Sequence, residues 1–271
     1  MNTDSATIAS PATPTVLVLL RGLIRSRFHW QQFPQQLQQT FPDAIILTPE
    51  LAGNGERYLE STPASIAGMM ADIRQQVKQQ YPANTPLTLV AISMGAMIAT
   101  EWAQQHPEEI QQLHLINTSF ANVSPPWHRM RAAAVLSLAA KALNREQLEN
   151  AIIRWTINLN SDPQLNNRWQ QFAQQHPLSR RNALAQLLAA SRYRAPRTAP
   201  QAATWLYNSL GDRLVNPACS QTIAERWQKP LLTHHYAGHD LPMDDGEWLA
   251  QCIFCNVGLG QNTTKNQQSN P

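Results

Sequence analysis

Three residues stand where side-chain chemistry is most easily exposed: Ser93 in Ala91-Ile92-Ser93-Met94-Gly95, Asp212 after Gly211, and His239 after Gly238. Ser93 has the clearest physical signature. The apolar run Leu87–Ile92 stops at Ser93 and Ala96 to Trp102 has helical character, so the serine falls on a strand-to-helix turn. A serine held there is strained, with Oγ exposed, and small residues two before and two after it, here Ala91 and Gly95, let strand and helix approach closely. The helix start also aims N–H groups and its positive dipole end at the space beside the serine. Taken alone, the pentapeptide describes equally well a buried strand followed by a serine helix cap.

The elements that would position these residues follow from apolar patterning. Continuous apolar runs at Thr15–Leu20 and Asp43–Thr48 predict parallel strands buried on both faces, as does the run ending at Ser93. His114–Asn117, Thr204–Leu210 and Leu231–Tyr236 predict three more. Helices are expected over Phe28–Phe41, Ser65–Gln80, Ala96–His106, Cys219–Trp227 and Gly246–Cys255. Strands alternating with helices in this way imply right-handed crossovers and a mostly parallel sheet of about six strands. Ser93, Asp212 and His239 each then lie just past the C-terminal end of a strand, where open α/β sheets collect their ligands.

The alternation breaks between residues 120 and 199. This stretch predicts four helices, Arg129–Leu143, Arg145–Ile157 after an Asn144 cap, Pro163–Gln175 after an Asp162 cap, and Leu178–Ser191. It reads as a helical cap over a core of residues 15–119 and 200–258. Residues 1–14 are polar and expected to be a flexible N-terminus, and the polar residues 259–271 a disordered tail.

Length and composition set the remaining bounds. At 271 residues the chain can bury a large α/β core. It holds no span of about 18 apolar residues, so no membrane crossing is expected, and the polar start lacks signal-peptide features. A cytoplasmic location is the expectation. Cys252 and Cys255 lack a second ligand pair, so zinc or redox chemistry is not expected of them.

With the motifs in place, the chain resembles the α/β-hydrolase superfamily, in particular its capped, esterase-like members. The residues that carry the resemblance are Ala91-x-Ser93-x-Gly95, Arg21-Gly22, Glu50-Leu51-Ala52-Gly53-Asn54-Gly55, Gly211-Asp212-Arg213-Leu214-Val215 and Gly238-His239-Asp240-Leu241-Pro242. They occur in order between about Thr15 and Gly258. The resemblance implies a serine hydrolase with neither cofactor nor metal. Ser93 would be the nucleophile, His239 its base and Asp212 the residue orienting His239. The backbone N–H groups of Leu23 and Met94 would hold the oxyanion. Asp240, Asp244 and Asp245 are the other carboxylates near the expected position of the acid. His234 and His235 alternate within a strand and so face opposite ways, which suits packing or surface roles. A serine rather than an aspartate nucleophile disfavours cleavage of epoxides and carbon–halogen bonds.

Two features bear on the substrate. Relatives usually carry His-Gly where this chain has Arg21-Gly22, so Arg21 is either an anchor within the site or a contact for an anionic substrate group. The cap holds eleven Lys/Arg against three acids, a net +8, whereas the remainder of the chain is −5. Such a patch attracts anionic partners, among them acyl carrier protein, coenzyme A or a free carboxylate, when it is not simply a solvated cationic face. No nucleic-acid-binding motif accompanies the charge. Trp127, Trp155, Trp169, Leu136, Leu138 and Leu143 are candidates for lining an acyl channel, with Trp127 and Trp155 the candidate substrate contacts. The expected activity is carboxylic ester hydrolysis, resembling pimeloyl-carrier methyl ester esterases. Thioester hydrolysis, carbon–carbon hydrolysis, lyase chemistry and a non-catalytic binding role on the same fold stand as alternatives.

Overall fold

The computed structural model describes residues 15–81 and 85–267. The chain forms a six-stranded sheet in the order β2-β1-β3-β4-β5-β6, with every pairing parallel. The strands are β1 (Val16–Leu20), β2 (Ile45–Leu47), β3 (Leu87–Ile92), β4 (Ile110–Ile116), β5 (Ala203–Ser209) and β6 (Leu231–His234). Alternate residues of the strands feed two cores. Val16, Val18, Leu20, Leu89 and Ala91 pack on one face with α2 (Ile66–Gln80), α3 (Met94–Gln105) and α9 (Ala218–Trp227). Leu17, Leu19, Val90 and Ile92 pack on the other with α1 (Phe33–Thr40), α10 (Leu241–Asp244) and α11 (Gly246–Gln267). The strands are apolar without interruption because both faces are covered.

The topology opens a crevice at one place. From β1 the chain leaves to β2 on one side, and from β3 to β4 on the other. The connections leaving the C-terminal ends of the paired strands β1 and β3 therefore diverge, which makes this the switch point where such sheets bind ligands. Gly22 and Leu23 follow β1, and Ser93 follows β3.

Between β4 and β5 the chain forms α4 (Pro126–Arg129), α5 (Ala132–Lys141), α6 (Arg145–Thr156), α7 (Leu165–Gln175) and α8 (Arg180–Arg192), with no strand among these residues. Asn144 caps α6 by accepting from Gln147 N, and Ser179 caps α8 by accepting from Asn182 N.

Several expectations are corrected. β2 is a three-residue edge strand with Ile45 exposed, because nothing pairs with its outer side. The predicted helix Phe28–Phe41 is divided into a 3₁₀ turn, Arg27–Trp30, and α1, and Gln31 between them has φ 47°. Of the helix expected over Arg129–Leu143 only Ala132–Lys141 forms α5, and Arg129 instead ends the preceding short helix α4. The helix expected from Pro163 starts at Leu165, because Asp162 caps a preceding turn by accepting from Gln164 N. The closing helix continues through Gln267, so residues 259–267 are helical rather than a disordered tail. The expected flexible N-terminus, residues 1–14, lies outside the described residues.

Candidate active site

Ser93 sits between β3 and α3 with φ 57° and ψ −119°, a left-handed-side conformation rare for residues other than glycine and costing about 1–3 kcal/mol. Close packing enforces it. A Cβ on Gly95 would lie 2.2 Å from Leu20 O, and one on Gly22 would lie 3.1 Å from Ser93 Cβ, so both positions bring the β1 and β3 ends together. Ser93 N donates to Ile116 O at 2.9 Å and Ser93 O accepts from Thr118 Oγ1 at 3.0 Å, which ties the turn to the end of β4.

Asp212 and His239 meet above this turn. His239 Nδ1 lies 2.7 Å from Asp212 Oδ2, with the side chains 7% and 1% exposed. Asp212 Oδ1 accepts from Leu214 N and Val215 N, each at 2.8 Å, so the loop after β5 fixes the carboxylate. Burial disfavours the charged imidazole, but the charge and hydrogen bond of Asp212 outweigh it and raise the His239 pKa above its ordinary value. His239 and Ser93 both line a cavity of about 70 Å³, together with Gly22, Leu23, Ile24, Met130, Leu138, Trp155 and Leu214.

Among the described residues, Leu23 N and Met94 N make no hydrogen bond to the protein. Met94 is the first residue of α3, so its N–H belongs to the unpaired first turn. The site therefore combines a strained serine hydroxyl, an imidazole oriented by a buried carboxylate and two unpaired backbone donors. That arrangement suits proton removal from a hydroxyl nucleophile and stabilisation of an oxyanion.

Arg21 does not face open space. Both its terminal nitrogens bond Asp240, at 3.0 and 2.6 Å, and its guanidinium lies over the Trp30 ring, 4.7 Å from the centroid. Asp240, one of the alternative acids, is thus occupied. Asp244 accepts from the backbone N–H groups of Asn158, Leu159 and Gly238, and Asp245 bonds His234 and caps α11 through Trp248 N. Trp155 lines the Ser93 cavity, whereas Trp127 is 67% exposed on α4 and lines neither this cavity nor the larger cleft described below.

Asn117 carries a role that the sequence reading missed. It has φ 45°; its Nδ2 donates to Ser209 Oγ, Gly238 O and His239 O, and its Oδ1 accepts from Ser209 N. It thereby joins the ends of β4 and β5 to the histidine loop. The available signal was an amide residue at a strand end, where asparagine tolerates left-handed backbone.

A second, larger cleft of about 660 Å³ adjoins the first and shares Leu23, Ile24, Arg25, Met130 and Leu138 with it. Leu143, Leu148, Phe172, Ala183, Leu184 and Leu187 form its apolar walls, contributed by the helical segment between β4 and β5. At its floor Arg25 pairs with Glu149 at 2.9 Å, lies over Trp169 at 4.7 Å and approaches His29 Nε2 at 3.3 Å. Burial first, then the Arg25 and Arg21 charges, holds His29 well below its ordinary pKa, hence neutral. Arg131, Arg180, Arg181, Arg192, Arg194 and Arg197, all between β4 and β5, are exposed. Arg129 instead binds Ala190 O and Ser191 O at the end of α8.

One cluster with metal-ligand character, His106, Glu108 and Glu109, occurs among the described residues. It lies just before β4, at the opposite end of the sheet from Ser93, and Glu109 already binds Arg74, Lys78 and Trp102. No described helix is long and apolar enough to cross a membrane.

Comparison with known proteins agrees with this architecture. The family model described as serine aminopeptidase, S33, matches residues 49–245. Among solved structures, a bacterial membrane phospholipase A superposes with a TM-score of 0.73 at 19% identity, over 93% of this chain and 81% of that one. The esterase EaEST from Exiguobacterium antarcticum gives 0.71 at 14% identity, over 92% of each chain. The 2-hydroxy-6-oxo-6-phenylhexa-2,4-dienoate hydrolase of Rhodococcus sp. strain RHA1 gives 0.70 at 15% identity, over 90% of each. At these identities the likeness is one of fold. A search of curated proteins finds no match.

Proposed function

The chain belongs to the serine aminopeptidase S33 family of α/β-hydrolases, and from that premise we propose that it hydrolyses carboxylic esters through an acyl-enzyme on Ser93. The observation that carries this reading is the placement of Ser93 beside His239, itself bonded to Asp212, in one cavity. Ser93 Oγ attacks the acyl carbonyl while His239 Nε2 takes its proton, and Asp212 stabilises the imidazolium. The tetrahedral oxyanion is held by Leu23 N–H and Met94 N–H. On collapse the C–O bond breaks and the alcohol leaves with the proton from His239. Water, deprotonated by His239, then attacks the acyl-enzyme and releases the acid.

Ester rather than N-terminal peptide hydrolysis is favoured by the charges around the site. The acids lining the two cavities are Asp240 and Glu149, and each is paired with an arginine. Neither is free to receive the ammonium group of an aminopeptidase substrate.

The cleft extends the reading to the acyl group. Its apolar walls suit a medium-length chain, and the exposed cap arginines suit an acidic carrier such as acyl carrier protein, as in a pimeloyl-carrier methyl ester. The test is kcat/KM for one medium-chain methyl ester, free and on acyl carrier protein, at low and high salt, with Ser93→Ala as control. Turnover lost in Ser93→Ala supports the hydrolase, and a salt-sensitive preference for the carrier form supports the carrier. Equal rates would leave a small-molecule esterase.

A further inference from the structure

The turn after β1 carries a β-branched residue in a conformation that such residues avoid. Ile24 has φ 55°, where branching at Cβ is most unfavourable. The backbone supplies the turn with one hydrogen bond, Arg25 N to Gly22 O at 3.3 Å. Ile24 N–H points elsewhere and donates at 2.8 Å to Oε1 of Gln186, a fully buried side chain on cap helix α8.

Gln186 is the first member of a relay. Its Nε2 donates to Asn54 Oδ1 at 2.7 Å, and Asn54 Nδ2 donates to Arg25 O at 2.9 Å. Two side-chain amides thus run from the N–H of Ile24 to the C=O of Arg25, bracketing one dipeptide. The polarity is fixed from both ends, because the chain begins at a backbone donor and finishes at a backbone acceptor. Turning either amide over would set donor against donor or acceptor against acceptor. The relay is buried, so a broken link leaves polar groups without water to replace it. Asn182, one turn earlier on α8, fixes the same helix by accepting from Thr62 N and donating to Glu60 O.

We propose that Gln186 is a positioning residue for the oxyanion site: through Ile24 it holds the Gly22–Leu23–Ile24 turn so that Leu23 N–H faces the oxyanion. This rests on the assignment of Leu23 N–H as an oxyanion donor. Without the relay, Ile24 relaxes toward negative φ, the Leu23–Ile24 peptide rotates and Leu23 N–H turns away. Because Gln186 belongs to the cap and Leu23 to the core, seating of the cap becomes a condition for a complete oxyanion site.

The experiment measures kcat and KM on a p-nitrophenyl ester, together with inhibition by a trifluoromethyl ketone, which binds as a tetrahedral oxyanion. The proteins are wild type, Gln186→Met, Asn54→Ala and the double variant, each checked for folding by thermal melt. Gln186→Met is expected to lower kcat by about 10- to 100-fold, with KM within about threefold, and to weaken the ketone by a similar factor. Asn54→Ala should show a smaller loss of the same kind, and the double variant less than the product of the two. If Gln186→Met fails to fold, Asn54→Ala carries the same reading alone. A rise in KM with kcat and ketone affinity unchanged would make Gln186 a docking residue and overturn the proposal. Failure of a fluorophosphonate to label Ser93 in the wild type would instead overturn the hydrolase reading beneath it.

Discussion

Arg21 and Asp240 form a two-point ion pair, 3.0 and 2.6 Å, with side chains 6% and 5% exposed, one residue away from His239. The arginine that follows β1 therefore closes on an acid of the histidine loop, and the anchor reading of Arg21 accounts for both terminal nitrogens. Arg21→Met would leave Asp240 buried and unpaired, a change that typically costs about 3–5 kcal/mol. Urea denaturation should show a loss of this order. Activity on neutral and on carboxylate-bearing esters should fall by the same factor, and a selective loss on the acidic esters would restore Arg21 as a substrate contact.

The pH dependence follows from His239. Its pKa is raised above 6.5, and in the proposed mechanism the neutral imidazole is the form that accepts the serine proton. kcat/KM should therefore rise with pH through a midpoint above 6.5. Asp212→Asn should move the midpoint down and lower kcat by about 10⁴-fold. The same shift acts on folding in the opposite sense: its stabilisation is complete below 6.5 and is lost as pH rises through the folded value.

Filling the cleft separates acyl recognition from chemistry. Ala183 lines the cleft on α8 and does not line the Ser93 cavity. Ala183→Trp should lower kcat/KM for a medium-chain p-nitrophenyl ester by about tenfold or more while leaving the acetate ester nearly unchanged. Equal loss on both esters would place the acyl chain elsewhere.

Asn117→Ala should unfasten the histidine loop from β4. It removes donors to Ser209 Oγ, Gly238 O and His239 O, leaving buried carbonyls short of partners at about 1–3 kcal/mol. The expected result is a lower melting temperature with reduced kcat, read by calorimetry and steady-state kinetics on one preparation.

Much of this was legible in the sequence because it depends on local pattern. Strand ends marked by glycine placed Ser93, Asp212 and His239 on one edge, and the break in alternation marked the helical segment between β4 and β5. What the sequence could not show depends on pairing across long separations. The edge position of β2 depends on which strands pair, not on its own apolar run. The Arg21–Asp240 pair spans 219 residues and the Ile24–Gln186 bond 162, and neither leaves a periodic trace. Trp127 was an acyl-channel candidate on residue type alone, yet α4 leaves it exposed, because an aromatic in a short proline-led helix has no fixed face.

Whether Ser93 is a nucleophile is read most directly by mass spectrometry of the protein after reaction with a fluorophosphonate. One phosphonyl adduct per chain is expected, located on Ser93, absent from Ser93→Ala and formed far more slowly in Asp212→Asn. No adduct, or an adduct on another residue with Ser93 unmodified, would contradict a nucleophilic Ser93 and the acyl-enzyme built on it.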